Sequence, residues 1–278
     1  MNYIELKCRR PDSLEQTEML VAELAEIGFE SFSEDDSYLL AYIPQNSFAT
    51  ANLLSTTFCK NLDNRTMLAI SIIKSQNWNE VWESNYTPVI IDGCCQVRAT
   101  FHQPKPELEY DILLSPKMAF GTAHHETTAL MIRLLLKENV EGMRVLDMGC
   151  GTGVLGILAV KKGALMVTSI DIDEWAYNNT LENIELNDLA GFTVLKGGAE
   201  LLEGDDEYDL ILANINKNIL ISDIPAYAKV LRKGGRIFFS GFYTEDLEDI
   251  TKKANKHGLI FESNLSDKNW VAAIFNKK

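Results

Sequence analysis

Arg144-Val145-Leu146-Asp147-Met148-Gly149-Cys150-Gly151-Thr152-Gly153-Val154-Leu155-Gly156 is the stretch on which the fold turns. Its first half is a short, largely apolar run, the pattern of a strand buried on both faces. Its second half holds glycines close together, and glycine lets a backbone turn tightly and come near a ligand or another segment. From Val154 the apolar residues continue to Val160 as a helix. A strand, a glycine turn and a helix in this order open a parallel α/β sheet, whose ligands sit beyond the carboxyl ends of the strands.

The same rhythm continues downstream. Met166–Ile170 reads as a strand before a helix around Trp175–Leu186, and Tyr208–Ala213 and Arg236–Ser240 are further buried strands. Leu259–Asn264 and Val271–Phe275 read as an antiparallel pair that closes the sheet. Residues 118–278 are therefore expected to be a doubly wound, Rossmann-like α/β domain.

Upstream, residues 1–75 read as a separate small α+β domain. Tyr3–Cys8 is a strand, and Ser13 with Gln16 forms a capping box for a helix carrying Leu20, Val21, Leu24 and Ile27, with Gly28 as its C-terminal cap. Strands at Phe29–Ser33 and Tyr38–Ile43, a helix from about Asn46 and a strand at Leu68–Ile73 complete βαββαβ, the ferredoxin-like order. Residues 76–117 read as a linker. It has an aromatic helix at Trp78–Trp82 and a hairpin of Pro88–Ile91 and Cys94–Phe101, and Pro104 and Pro106 then interrupt regular structure.

The chain has 278 residues, 26 Lys and Arg against 40 Asp and Glu, and a net charge of −14. That balance disfavours a general grip on nucleic-acid phosphate, which needs cations to displace counterions. Five cysteines without a CxxC pair fit reduced thiols rather than a disulfide frame or zinc site. With no signal-peptide organisation and no membrane-length apolar run, the expectation is a cytoplasmic monomer with no membrane contact.

Taken from Gly151, the spacing Gly151-x-Gly153-x-x-Gly156 also satisfies the dinucleotide fingerprint. Electrostatics separates the two readings. A dinucleotide brings phosphates to a helix N-terminus, where Asp147 would repel them. S-adenosylmethionine brings a sulfonium cation and an amino group, which a carboxylate favours. Asp171, at the end of the second strand, can accept both hydroxyls of an adenosine ribose. The alternative for Asp171 is a helix cap, a place that Asp173 can equally fill.

Asp147-x-Gly149-x-Gly151-x-Gly153 followed by the strand-end Asp171 resembles a class I, seven-stranded S-adenosylmethionine-dependent methyltransferase. Met118-Ala119-Phe120-Gly121-Thr122-Ala123-His124-His125-Glu126-Thr127-Thr128 is similar to the loop before the core in the PrmA family, the methyltransferases of large-subunit ribosomal protein eleven. Leu212-Ala213-Asn214-Ile215 matches that family's fourth-strand motif, and Trp78–Trp82 its linker. The resemblance spans essentially the whole chain. It implies that Phe120, Thr122, Thr127, Thr128, Gly149, Asp171 and Asn214 meet the cofactor, with Gly151 in the same loop. It further implies methylation of lysine and N-terminal amines of that ribosomal protein, with the small N-terminal domain as the recognition unit. The family usually has glycine where this chain has Ala123. If that position needs a positive φ, either the backbone tolerates alanine or cofactor affinity falls.

Asn214 stands where amino-group methyltransferases present a side-chain oxygen to the substrate nitrogen. Here Asn-Ile-Asn replaces the rigid Asn-Pro-Pro-aromatic, which suits an alkyl amine better than a planar base. The adjacent His124 and His125 point apart and are expected to cap the next helix rather than bind a metal. Trp78 and Trp82 are expected to pack the linker. Glu23, Glu26, Glu30, Glu34, Asp35 and Asp36 form either a solvated face or a docking surface for a basic substrate. Three rival readings stand beside the leading one. They are a methyltransferase of another protein, a nucleic-acid base or a small molecule; a nicotinamide-dependent oxidoreductase; and a non-catalytic ribosome-assembly binder.

Overall fold

A computed structural model of the chain describes all residues except 1, 12, 35–36, 61–67, 74–85, 116–119 and 203–206. The contacts divide it into two compact units, Met1–Asn85 and Tyr86–Lys278.

The first unit contains β1 (Tyr3–Arg9), α1 (Leu14–Glu26), β2 (Ser31–Glu34), β3 (Tyr38–Pro44), α2 (Thr50–Ser55), α3 (Thr57–Lys60) and β4 (Leu68–Ile73). Its antiparallel sheet has the order β2-β3-β1-β4, the ferredoxin-like arrangement. Alternation on β1 sends Ile4, Leu6 and Cys8 inward against Leu20 and Leu24 of α1. The Ser13 hydroxyl accepts from Gln16 N at 3.2 Å, and Gly28, at φ 102°, ends α1. The single helix expected from Asn46 is two short ones. Thr56 divides them, because its hydroxyl donates to Leu53 O at 2.7 Å and accepts from Cys59 N at 3.2 Å.

The acidic cluster of this unit is less free than its composition suggests. Glu23 holds the start of α3; the Thr57 hydroxyl and then Phe58 N, at 3.1 Å, donate to its carboxyl and keep it below the usual range. Glu30 accepts from the Tyr3 hydroxyl at 2.5 Å, and Glu34 faces Arg10 at 3.8 Å. Asp35 and Asp36 lie outside the described residues.

The second unit opens with β5 (Val89–Ile91), β6 (Cys95–Ala99) and β7 (Tyr110–Leu114). β5 and β6 are antiparallel, whereas β7 joins β6 in parallel. Arg98 fixes that pairing from a buried position, with Nε and Nη2 2.7 and 2.8 Å from the Asp111 carboxylate. The expected hairpin is present as β5 and β6, and β7 extends it to a three-stranded sheet within the second unit. The expected aromatic helix, with Trp78 and Trp82, lies outside the described residues.

The rest follows as α4 (Glu126–Lys137), β8 (Arg144–Met148), α5 (Val154–Lys161), β9 (Met166–Asp171), α6 (Glu174–Leu186), β10 (Phe192–Lys196), β11 (Tyr208–Asn214), α7 (Lys217–Val230), β12 (Leu231–Tyr243), α8 (Leu247–Asn255), β13 (Leu259–Asp267) and β14 (Trp270–Lys277). The seven strands lie in the order β10-β9-β8-β11-β12-β14-β13, all parallel except β14, which runs antiparallel between β12 and β13. Lys268 and Asn269, both at positive φ (45° and 71°), make the tight turn that lets β14 double back. Strand alternation feeds two cores. Val145, Leu210, Leu212 and Phe238 face α4 and α5, while Leu146, Ile211, Ala213 and Phe239 face α7 and α8. No described helix is long and apolar enough to cross a membrane.

Candidate functional site

At the carboxyl edge of the sheet, where strand order reverses between β8 and β11, the second unit holds a cavity of about 800 Å³. Phe120, Thr127, Gly149, Gly151, Asp171 and Asn214 all line it. Thr122 and Thr128 are not among its lining residues. Thr122 sits 3.1 Å from His124 Nδ1, and Thr128 is buried behind Asn214.

The glycine loop is shaped by the chain's own close packing. A Cβ on Gly149 would stand 2.2 Å from Ile215 Cγ2, and one on Gly151 would stand 2.3 Å from the Phe120 carbonyl oxygen. Both residues have positive φ, 65° and 57°. Phe120 O in turn accepts from Thr152 N at 2.9 Å, and Thr152 Oγ1 donates to Gly121 O at 2.7 Å. The loop before α4 is thereby latched onto the glycine loop, which brings Phe120 to the cavity.

Asp171 ends β9 with one oxygen accepting from Gly151 N at 2.9 Å and the other from Asp173 N at 3.0 Å. The cap of α6 is Asp173, which accepts from Trp175 N at 2.8 Å. Each Asp171 oxygen keeps a further lone pair, so the carboxylate has acceptor capacity left for a diol.

Asp147 does not do what the sequence argument asked of it. It is 1% exposed and does not line the cavity; it accepts from Gly156 N at 3.1 Å beneath the glycine loop. Burial pushes its carboxyl up to about 7, with nearby Asp171 adding to the rise and the Gly156 N–H holding it back. The charge that faces a ligand comes from elsewhere. Asp171, Asp173, Glu200 and Asp223 line the cavity, and no Lys or Arg is among its described lining residues. Burial also raises the Asp223 carboxyl, which accepts from the Tyr227 hydroxyl at 3.3 Å. Such a cavity disfavours a pyrophosphate and favours a cation.

Asn214 closes β11, with Nδ2 donating to Thr128 Oγ1 at 3.3 Å. Asn214 lines the cavity, and its buried Oδ1 has no hydrogen-bond partner among the described residues. A buried acceptor left unpaired costs free energy unless a ligand completes it.

Several lining residues were not expected at the site, although His125 takes the helix-capping place that the sequence suggested. His125 caps α4 by accepting from Thr127 N at 3.2 Å, and its ring also reaches the cavity. It lies between Phe120 (centroids 5.2 Å apart) and Trp270 (4.8 Å), and Tyr243 follows at 4.1 Å from Trp270. Trp270 gives no local signal; it arrives because β14 is inserted beside β12. Trp175, in the first turn of α6, lines the rim and is 79% exposed, an unusual state for its apolar area. Ala123 has φ 67° and is 2% exposed, so the positive φ expected of the family's glycine is present here on an alanine.

A seven-stranded sheet with its seventh strand inserted antiparallel, a glycine loop after the first strand and a carboxylate ending the second define a methyltransferase of the Rossmann-like class. The chain belongs to the ribosomal protein L11 methyltransferase (PrmA) family, which it matches over residues 10–278. It is similar to proteins named ribosomal protein L11 methyltransferase from Phocaeicola vulgatus (44% identical, covering 100% of both chains) and Porphyromonas gingivalis (46% identical, covering 96% of this chain and 93% of the relative). The crystal structure of a ribosomal protein L11 methylase from Lactobacillus delbrueckii subsp. bulgaricus aligns with a TM-score of 0.64 at 28% identity, covering 69% of this chain and 100% of that one.

Proposed function

We propose that this protein transfers methyl groups from S-adenosylmethionine to lysine and N-terminal amino groups of ribosomal protein L11, with the first unit recognising the substrate. The unpaired Asn214 Oδ1 beside a cavity with an acidic lining is the observation that carries the reading. When bound, the cofactor supplies an electrophilic methyl group and its own leaving group, so the protein needs only to position reactants and exclude water. Asp171 holds the ribose hydroxyls, the acidic lining favours the sulfonium charge, and Thr127, Gly149 and Gly151 form the wall beside them. An amine of pKa ~10.4 must give up a proton to water before it reacts, at a cost of about 4–5 kcal/mol at pH 7. Asn214 Oδ1 accepts an N–H of the neutral amine and so turns its lone pair inward. Thr128 engages the amide nitrogen and so fixes which way the amide is turned, leaving the oxygen free to accept. The ring row Phe120, His125 and Trp270 keeps water from the approach.

Mass spectrometry of purified ribosomal proteins after incubation with the enzyme and labelled cofactor tests this directly. Label on L11 lysine and N-terminal amines is expected; label in RNA, or in no ribosomal protein, refutes the substrate assignment. In the same assay, a chain lacking residues 1–85 is expected to bind S-adenosylhomocysteine but not to methylate L11. Full activity would remove the recognition role of the first unit.

A further inference from the structure

Helix α6 carries Asn179 and Asn183 and is capped at its C-terminus by Asn187, and the i, i+4, i+8 spacing puts the three side chains on one face. All three act on the end of β7 and the residue that follows it. Asn187 pairs with Leu113 as a neighbouring strand would, Leu113 N donating to Oδ1 at 3.0 Å and Nδ2 donating to Leu113 O at 2.7 Å. One turn earlier on the helix, Asn183 Oδ1 accepts from Ser115 N at 2.7 Å, and Asn179 Nδ2 donates to Ser115 O at 3.2 Å. The ladder continues the backbone pairing of β7 beyond its last residue.

Asn183 differs from its two companions in one respect. Its Nδ2 also donates to Thr152 O at 2.9 Å, within the glycine loop, as well as to Asn179 Oδ1 at 3.2 Å. Thr152 is the residue that latches Phe120 and Gly121, and the next residue along the helix side, Thr180, donates to Gly151 O at 2.9 Å. At 0% exposure, the Asn183 amide is closed off from bulk water, so a lost partner is not replaced from solvent.

We infer that Asn183 is a positioning residue for the cofactor site, one amide that ties the Ser115 segment to the Thr152 carbonyl so that Phe120 and the glycine loop wall the same cavity. The inference rests on the cofactor reading above. Only an amide meets both demands. A carboxylate of the same shape still accepts from Ser115 N but loses both donor bonds and faces the Thr152 carbonyl with a lone pair.

Asn187 supplies the internal control, since from the C-terminal cap of α6 it makes side-chain bonds of the same kind to β7 without a hydrogen bond to the glycine loop among the described residues. Binding of S-adenosylhomocysteine is measured by calorimetry for the wild type, Asn183→Ala, Asn183→Asp and Asn187→Ala, well below each Tm. Both alanine variants are expected to lower Tm. Asn183→Ala should weaken binding by at least about tenfold, the scale of one lost buried hydrogen bond, and Asn187→Ala by less than about threefold. Equal weakening in the two, or unchanged binding in Asn183→Ala, overturns the inference. If Asn183→Ala does not fold, Asn183→Asp against Asn187→Ala decides by the same criterion. A wild type that fails to bind S-adenosylhomocysteine refutes the cofactor reading instead.

Discussion

Replacing Ala123 with glycine restores the residue that the family usually carries at a site where this chain holds a buried alanine at φ 67°. Three contributions decide the outcome. Relief of the left-handed backbone is worth about 1–2 kcal/mol. Against it, one buried methyl is lost, about 0.8 kcal/mol. The freer unfolded chain costs a further 0.4–1 kcal/mol or so. The balance lies within about 1 kcal/mol of zero, so Tm should move by less than about 4 °C for a unit of this size. Ala123→Val keeps the backbone demand but adds a β-branched side chain at positive φ in a closed site, and should lower Tm well beyond that range. Because Ala123 does not line the cavity, S-adenosylhomocysteine affinity should stay within about twofold for Ala123→Gly, a change of less than one ordinary hydrogen bond. Denaturant unfolding of the full chain, with calorimetric titration alongside, reads both quantities. A gain or loss beyond about 2 kcal/mol refutes the balance worked above. A large affinity gain would show that alanine had weakened the cofactor site.

Asn214→Ala should reduce kcat on the protein substrate by about a hundredfold, with a much smaller change in its KM. A change confined to KM would remove the amine-orienting role. Trp175→Phe should diminish the tryptophan fluorescence change on titration with S-adenosylhomocysteine, Trp270 supplying the remainder, since Trp175 stands open at the rim; an undiminished change would place the ligand away from α6. Asp147 has a folded pKa raised to about 7, so between about pH 4 and 7 the folded state holds more protons than the unfolded one, and stability falls as pH rises. Asp147→Asn keeps the acceptor for Gly156 N and removes the charge. The wild type should therefore lose up to about 4 kcal/mol relative to this variant over that window, and parallel pH–stability curves would show that Asp147 carries no such linkage.

Much of this architecture is written in local pattern. The run from Arg144 to Gly156, the strand-end Asp171 and the βαββαβ order each sit within one or two elements, where periodicity and turn chemistry are decisive. Asp147 shows how a correct motif can still mislead. In a strand buried on both faces, side chains alternate, so Asp147 points to the side of Val145, beneath α5, and not to the cavity edge. Alternation could have foretold this; proximity in sequence to the glycines suggested otherwise. β7 was hidden behind Pro104 and Pro106, since its pairing with β6 depends on Arg98 and Asp111, thirteen residues apart. Trp270, the asparagine ladder and the place of His125 at the cavity, as distinct from its expected helix cap, depend on how distant elements meet, and a single sequence without its fold carries no mark of that.

The unpaired oxygen of Asn214 has a consequence for how far this protein can be stabilised. A buried acceptor without a partner withholds about 1–3 kcal/mol from the folded state, and an apolar residue of similar volume would recover part of it. Screens that reward thermal stability alone should therefore select against Asn214 and return a sturdier fold with a silent site. Screens run with ligand present should retain it, because occupancy supplies the missing bond. The position thus separates selection for folding from selection for methyl transfer within a single side chain.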